Sequence, residues 1–90
     1  MDNFREIIHS IRFDAELEAI ERDVRAADQV VHALTWALCR HPERGFPIPE
    51  TPVLMWPVYL RGREYVVYYR VGSTWVELLS ITESGEDFSA

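Results

Sequence analysis

The stretch that decides the fold is YVVYYRV at 65–71, followed across Gly72–Ser73 by TWVELLSI at 74–81. Both halves are rich in the β-branched and aromatic residues that are typical of strands. The two residues between them form the Gly-X loop that favours a type II′ hairpin turn. We therefore predict a β-hairpin in which Arg70 lies opposite Trp75.

This register assigns the side chains of the hairpin to two faces. One face is apolar and should pack on helices: Tyr65, Val67, Tyr69, Val71, Val76 and Leu78. The other face mixes charged, aromatic and apolar groups: Val66, Tyr68, Arg70, Trp75, Glu77 and Leu79. Its apolar content exceeds what a solvated face needs, and Arg70 across from Trp75 predicts a cation–π pair.

The mixed face and its neighbouring turn are the candidate functional surface. We predict a partner- or RNA-binding face formed by Arg61, Arg63, Tyr68, Arg70, Trp75 and Glu77. An ordinary solvated sheet face with satisfied charge pairs is the alternative interpretation.

The segment before the hairpin predicts a third strand and a loop. Val53–Leu60 is rich in strand-forming residues, and Pro57 within it indicates an edge or bulged strand. A turn at Arg61–Arg63 joins it to the hairpin. Residues 41–52 contain Gly45 and four of the five prolines, which predicts an extended loop.

A long helical region precedes that loop. Residues 14–40 contain neither Gly nor Pro, and Asp14 is a plausible N-cap. Apolar residues recur in steps of three and four at Phe13, Leu17, Ile20, Val24, Ala27, Val31, Leu34 and Leu38. The unbroken period favours one long helix, whereas compactness favours a hairpin that turns near Arg25–Asp28 with Asp28 as the second cap. We predict the hairpin; a dimerising seam along the stripe, and hence a homodimer, is the other reading of this pattern.

Two structures fit the start of the chain. Residues 7–13 alternate as a strand does, whereas Phe4, Ile7, Ile8 and Ile11 fit a helix with an Asn3–Glu6 capping box. We predict the strand, and we expect residues 1–6 and 82–90 to be flexible. The predicted fold is α+β: a small antiparallel sheet, made of an N-terminal strand and a three-strand C-terminal meander, with the helical hairpin or long helix on one face.

Length, net charge and hydropathy restrict the classes of protein to which this chain can belong. A chain of 90 residues predicts one domain, 1–90, and the formal charge of −6 argues against a generic phosphate binder. All nine basic residues are arginine. No apolar run approaches a membrane span and no secretion signal is present, so a soluble cytoplasmic protein without membrane association is expected.

The sequence holds no recognisable metal or nucleophile motif. A single cysteine, Cys39, cannot form an intrachain disulfide. His32, Cys39, His41 and Glu43 lack any metal-ligand spacing, so we predict no metal site. No P-loop, G-x-S-x-G or H-E-x-x-H motif occurs, and we predict no cofactor.

The order of strand, helical segment, proline-bearing loop and three-strand meander resembles the RelE/ParE superfamily of toxins from bacterial type II toxin–antitoxin modules. The residues that carry the resemblance are Ile11–Asp14 running into a helix, His41–Pro42 with Gly45 after the second helix, and the hairpin segments 65–71 and 75–81. Members of this family either cleave mRNA on the ribosome or inhibit DNA gyrase, and each is neutralised by an antitoxin protein.

The resemblance implies a toxin with an antitoxin partner and with the ribosome and mRNA, or DNA gyrase, as its target. It leaves ribonuclease activity open, because the position where the ribonucleases carry an arginine on the third strand is Val66. The tail that would supply further arginine and tyrosine reads TESGED at 82–87. Phosphodiester cleavage needs cations where negative charge develops, and this tail supplies anions. The alternative implied function is a small acidic interaction or inhibitor protein without catalysis.

Overall fold

The computed structural model describes residues 5–84. Its elements follow in the order β1 (Glu6–His9), α1 (Ile11–Ile20), α2 (Val24–Arg40), a 3-10 turn (Pro42–Arg44), β2 (Phe46–Pro47), β3 (Val53–Leu60), β4 (Arg63–Val71) and β5 (Trp75–Glu83). The strands form one sheet in the order β1-β5-β4-β3-β2. The predicted α+β class is confirmed, but the sheet is mixed and not antiparallel throughout, because β1 runs parallel to β5.

The first strand is shorter than the sequence pattern predicts. β1 ends at His9, and α1 begins at Ile11 because Ser10 caps it: the Ser10 Oγ accepts a hydrogen bond of 3.0 Å from the Phe13 backbone N–H. The prediction of a strand through Phe13 with Asp14 as the cap was therefore wrong. Phe13 is instead fully buried on the helix.

The helical region is interrupted, as the compactness argument predicted, but earlier in the chain. The connection is residues 21–23, and the cap of α2 is Asp23, whose side chain accepts from the Arg25 N–H, and not Asp28. The backbone leaves the helix at Glu21, which has extended φ and ψ angles. Its carboxylate accepts a hydrogen bond from the Asp23 N–H, and this contact fixes the connection.

Part of the apolar stripe of the helices forms the core. Phe13 and Leu17 of α1 and Leu34 and Leu38 of α2 are at most 5 % exposed. They pack on the sheet side chains Val67, Tyr69, Val76, Leu78 and Ile81. These four side chains are therefore unavailable to a second copy, whereas Val24 of the same stripe is 72 % exposed. The homodimer stays a prediction.

The β4–β5 hairpin has the predicted faces but a different register. Tyr69 lies opposite Leu78 and not opposite Val76, which the predicted register requires. A bulge interrupts the pairing between Tyr68 and Tyr69. Between the turn and the bulge the pairing is shifted by two residues, which keeps each side chain on its face because strand side chains alternate with period two. Beyond the bulge the shift is three, since Val67 lies opposite Ile81, and the bulge absorbs the odd residue. The predicted core face is therefore correct although every predicted pair was wrong.

Gly72 explains why the turn prediction failed. Gly62 is the described glycine with a positive φ, so Gly72 does not adopt the II′ conformation. Its role is spatial: a Cβ at Gly72 would lie 2.1 Å from the Trp75 ring. The indole therefore lies against the Gly72 backbone. The Gly72 N–H donates to the Trp75 carbonyl at 2.8 Å, so the tight turn spans Ser73 and Thr74, one residue later than predicted.

The outer part of the sheet is open along β3. β2 pairs with Leu54 and Met55 alone, so the outer edge of β3 beyond Met55 has no partner among residues 5–84. Pro57 lies in that segment, which confirms the expected edge character. The segment 41–52, expected as a plain loop, contains the 3-10 turn and β2.

The β3–β4 connection is a tight two-residue turn. Leu60 pairs with Arg63, and the two residues between them, Arg61 and Gly62, have φ angles of 51° and 79°. Two consecutive positive φ angles are the type I′ geometry that suits the twist of a hairpin.

The far end of β5 remains in the sheet. Thr82 and Glu83 pair with Val66 and Tyr65, and the Ser84 N–H donates to the Glu64 carbonyl. Glu6 likewise lies in β1. The expected flexibility of residues 1–6 and 82–90 stays a prediction. Residues 1–4 and 85–90, which carry the rest of that expectation, lie outside the described residues.

Side chains from α1 complete the edge of β5 that β1 leaves uncovered. The Glu16 carboxylate accepts hydrogen bonds from the Ile81 N–H and the Ser80 hydroxyl, and the Ser10 hydroxyl donates to the Leu79 carbonyl. These contacts satisfy backbone groups that an unpaired edge would expose.

Tyr69 connects the sheet to the segment after α2. Its hydroxyl donates to the Pro42 carbonyl at 2.7 Å and accepts from the Gly45 N–H at 2.9 Å. Burial raises the pKa of this phenol, so it remains a neutral donor. Gly45 is required here because a Cβ would lie 2.2 Å from the Tyr69 hydroxyl oxygen.

We expect Tyr69→Phe to lower the free energy of unfolding by about 1–3 kcal/mol, because it leaves two buried backbone groups without a partner. Chemical denaturation followed by circular dichroism measures this change. Tyr65→Phe is the matched control, since the Tyr65 hydroxyl makes no hydrogen bond to a described residue. An equal effect of the two substitutions would contradict the role assigned to Tyr69.

Candidate functional site

Three of the predicted site residues meet on the sheet face opposite the helices, and we call Arg70, Trp75 and Glu77 the Arg70 cluster. The Arg70 Nε lies 2.7 Å from the Glu77 Oε1. The Arg70 Cζ lies 5.4 Å from the centroid of the Trp75 ring, so the predicted cation–π contact is present. It runs diagonally between the strands, because Glu77 and not Trp75 is the residue directly opposite Arg70.

The β4–β5 turn supports the Arg70 cluster. The Trp75 indole rests on Gly72, and the Arg5 Nε donates to the Gly72 carbonyl at 3.0 Å. The Arg70 side chain remains half exposed. The cluster is therefore a fixed surface feature that another molecule can reach.

Tyr68 shares this side of the sheet but offers no accessible surface. It lies opposite Met55 on β3 and Ser80 on β5, and it is 5 % exposed. Its position two residues before Arg70 therefore does not make it a contact surface for another molecule.

Arg61 and Arg63 lie at a different place from the Arg70 cluster. Arg61 forms two hydrogen bonds to the Glu21 carboxylate, at 2.7 and 3.0 Å, and so reaches toward the connection between α1 and α2. Arg63 lies 3.6 Å from Glu83. Strand alternation places Arg63 on the same side as Tyr65 and Val67, which is the helix side. The six predicted site residues thus do not form one surface.

All three arginines of the predicted face are paired with carboxylates. Glu21, Glu83 and Glu77 lie 2.7, 3.6 and 2.7 Å from Arg61, Arg63 and Arg70, respectively. Each pair is close to neutral, so the surface lacks the uncompensated positive charge that a nucleic-acid footprint requires.

The Glu21–Arg61 pair is asymmetric in exposure. The Glu21 side chain is 4 % exposed and the Arg61 side chain is 69 % exposed. The hydrogen bonds from Arg61, followed by the one from the Asp23 N–H, hold the pKa of Glu21 below its ordinary value. The same hydrogen bonds raise the pKa of Arg61. The carboxylate therefore stays charged and keeps the turn fixed to the helix connection.

A groove between α2 and β3 is the feature that sequence reasoning missed. Its volume is about 510 Å³, and it ends at the Glu21–Arg61 pair. The lining is mostly apolar: Ala26, Val30, Ala33 and Leu34 from the helix, and Trp56, Val58 and Leu60 from the strand, with Gln29, Pro57 and Tyr59 at its margins. We call it the α2–β3 groove. The one sequence signal for it is a pair of small residues, Ala26 and Ala33, on one face of α2.

The structure adds no metal-binding arrangement. Among residues 5–84, no group of three or more His, Cys, Asp and Glu side chains is placed to hold a metal ion. His32, Cys39, His41 and Glu43 are not brought together. In the same part of the chain, no helix combines the length and the apolar character that crossing a bilayer requires.

Comparisons with known proteins identify the fold. No family model and no curated protein matches the sequence. A chain of the chromosomal ParDE TA system from P. aeruginosa matches with a TM-score of 0.68 and 17 % identity, over 90 % of this chain and 97 % of that one. A chain of the toxin–antitoxin complex RelBE2 from Mycobacterium tuberculosis matches with a TM-score of 0.70 and 20 % identity, over 92 % and 94 %. The chain therefore has the RelE/ParE-like toxin fold.

We expect acid to remove the stabilisation that the Glu21–Arg61 pair provides. The folded-state pKa of Glu21 is lowered from 4.5, so this contribution is present at neutral pH and is lost as the pH falls below 4.5 and through the folded-state pKa. Glu21→Gln should be less stable than wild type at neutral pH, and the difference should shrink on acidification. Thermal denaturation across this range measures it.

Glu18→Gln is the matched control, because Glu18 is an exposed carboxylate of α1 outside ion-pair distance of any described arginine. It should follow the wild-type profile. A Glu21→Gln profile parallel to that of wild type would contradict the role of the pair.

Proposed function

We propose that this chain is the toxin component of a bacterial type II toxin–antitoxin pair, that it acts in the cytoplasm, and that an antitoxin protein binds it. The observation that carries this proposal is the fold: the match covers nine-tenths or more of this chain and of both solved chains, which come from a ParDE system and a RelBE2 complex.

For the target, the charge arrangement favours a protein, DNA gyrase, over mRNA cleavage. A phosphodiester-cleaving site needs cations directed at the developing negative charge. Here Arg61, Arg63 and Arg70 are all paired with carboxylates. The strand position that carries an arginine in the ribonucleases is Val66, which lies between Pro57 and Thr82 in the sheet. These features support contact with a protein surface, in which paired charges provide specificity.

A second function is favoured by the same charges. The formal net charge of −6 and the carboxylate beside each arginine of the predicted face suit a non-catalytic interaction or inhibitor protein that binds a basic surface. Such a protein would have the toxin-like fold and would not arrest growth.

Induced expression in bacteria separates the two functions. The chain is expressed alone and together with the product of the adjacent reading frame in its genome. The toxin proposal predicts growth arrest that the neighbour relieves. Normal growth of cells that accumulate the folded chain alone would contradict it and support the interaction protein.

We expect the Arg70 cluster to contact the target. Arg70→Ala and Trp75→Ala should each weaken growth arrest and lower the affinity for purified gyrase about tenfold, because accessible arginine and tryptophan side chains are common interface anchors and Trp75 is half-buried beside the exposed Arg70. Calorimetry measures the affinity, and circular dichroism tests that each variant remains folded.

Arg44→Ala is the matched control, since Arg44 is an exposed arginine in the 3-10 turn and lies outside the cluster. Wild-type affinity and wild-type arrest in both cluster variants would show that the target binds elsewhere.

A further inference from the structure

We propose that Ser73, at the tip of the β4–β5 hairpin, is a phosphorylation site whose phosphate is held by Arg5 and Arg70. The modification regulates the Arg70 cluster, which lies beside this turn. That regulatory role rests on the proposed function, because the cluster is the surface assigned there to the target. The phosphate site itself is argued from the turn and its arginines alone.

Ser73 is the residue of this turn that the described chain leaves without a hydrogen bond. Its side chain is exposed, and neither its hydroxyl nor its backbone bonds to another described residue. On one side, the Gly72 N–H donates to the Trp75 carbonyl. On the other, the Thr74 carbonyl accepts from the Glu6 N–H. An enzyme can therefore reach the Ser73 hydroxyl without breaking a hydrogen bond of the described chain.

Several other hydroxyl groups are less available to an enzyme. Four are already hydrogen-bonded or buried: Ser10, Thr51, Ser80 and Thr82. Ser84 is exposed like Ser73, but it lies at the opposite end of β5. Ser73 thus combines an accessible hydroxyl with a position directly after Gly72, whose carbonyl binds an arginine.

That arginine, Arg5, supplies an unpaired positive charge at the turn. Its Nε donates to the Gly72 carbonyl at 3.0 Å, so the guanidinium lies beside the residue that precedes Ser73. No carboxylate of the described chain forms an ion pair with Arg5. Both terminal nitrogens, Nη1 and Nη2, are left for another acceptor. Arginine binds phosphate through such N–H groups.

Arg70 approaches the same turn from β4. Its Cζ lies 5.4 Å from the centroid of the Trp75 ring, and that ring lies against Gly72. Its Nε is used by Glu77, which leaves the terminal nitrogens for a phosphate. Each guanidinium therefore lies near Gly72, one through the carbonyl and the other through the Trp75 ring.

Phosphorylation changes the sign of the charge on this surface. Two carboxylates lie there with the two arginines: Glu77 is paired with Arg70, and the exposed Glu6 lies opposite Trp75 in β1. These four groups sum to a charge near zero, and a phosphoserine adds about −1.5 to −2 at pH 7. The phosphate also competes with Glu77 for Arg70. A partner that uses Arg70 as an anchor therefore meets an acidic surface and a guanidinium that is already engaged.

The modifying reaction is phosphoryl transfer from ATP, catalysed by a serine kinase. The Ser73 Oγ forms a bond to the γ-phosphorus while the bond from that phosphorus to the β,γ-bridging oxygen breaks. ADP leaves with the electron pair of the broken bond, and the hydroxyl proton passes to the general base of the kinase.

Phosphate recognition is tested on the full chain with phosphoserine introduced at position 73 during translation. Phosphorus NMR measures the second acid dissociation constant of the phosphate, which should be about threefold to tenfold larger than for phosphoserine at position 84, because nearby arginines favour the dianion. Arg5→Gln and Arg70→Gln should each remove part of this difference. Arg22→Gln is the matched control, an exposed arginine of the connection between α1 and α2. Circular dichroism tests that each variant is folded.

Occurrence of the modification is tested by mass spectrometry of the chain isolated from the cells that naturally produce it. A phosphoryl group on Ser73 is expected, and Ser84→Ala should retain it whereas Ser73→Ala should not. The chain with phosphoserine at position 73 should bind gyrase about tenfold more weakly than the unmodified chain.

Equal dissociation constants at positions 73 and 84, or an unmodified Ser73 in the natural cells, would overturn the inference. Neither measurement uses gyrase or growth arrest, so both can succeed even if the proposed function fails. Unchanged gyrase affinity in the phosphorylated chain would refute the regulatory role and leave the proposed function standing.

Discussion

The burial of one face of the β4–β5 hairpin beneath two helices is the interaction on which the other features of this molecule depend. Val67, Tyr69, Val76 and Leu78 are fully buried against helix residues that include Phe13 and Leu38. At roughly 25 cal/mol per Å² of apolar surface, this contact is the main favourable contribution to folding in a chain of this size. Because it fixes which side of the sheet faces the helices, it also determines that Arg70, Trp75 and Glu77 face outward.

The second constraint is that each arginine of the predicted binding face forms an ion pair with a carboxylate of the same chain. Arg61 binds the helix connection, Arg63 binds the end of β5, and Arg70 binds its cross-strand neighbour. A chain with 15 acidic and 9 basic residues has enough carboxylates for this arrangement. The result is that the three arginines of the predicted face are close to neutral with their partners, whereas phosphodiester cleavage needs cations directed at the developing negative charge.

The sequence predicted the parts of this structure that depend on local pattern. The core face of the hairpin was correct despite a wrong register, because the slip of two residues near the turn preserves strand alternation and the bulge absorbs the third residue beyond it. The break in the helical region was expected from compactness, but its position is set by Asp23, which caps α2. The Glu21 carboxylate accepts from the Asp23 N–H and also binds Arg61, 40 positions away. The II′ turn was wrong because Gly72 is needed for the space that Trp75 occupies and not for a positive φ.

The sequence predicted the part of the candidate site that depends on local pattern. Arg70, Trp75 and Glu77 are near one another in the hairpin, so a local pairing rule brought them together. The positions of Arg61 and Arg63 and the α2–β3 groove require the packing of a helix beside the sheet edge, which no local pattern encodes.

The most direct test of the central claim, action through protein contact and not RNA cleavage, is made in cells arrested by the induced chain, where plasmid topology and transcript ends are measured together. The account predicts relaxed plasmids with intact transcripts; transcripts cut within translated codons, with plasmid supercoiling unchanged, would contradict it.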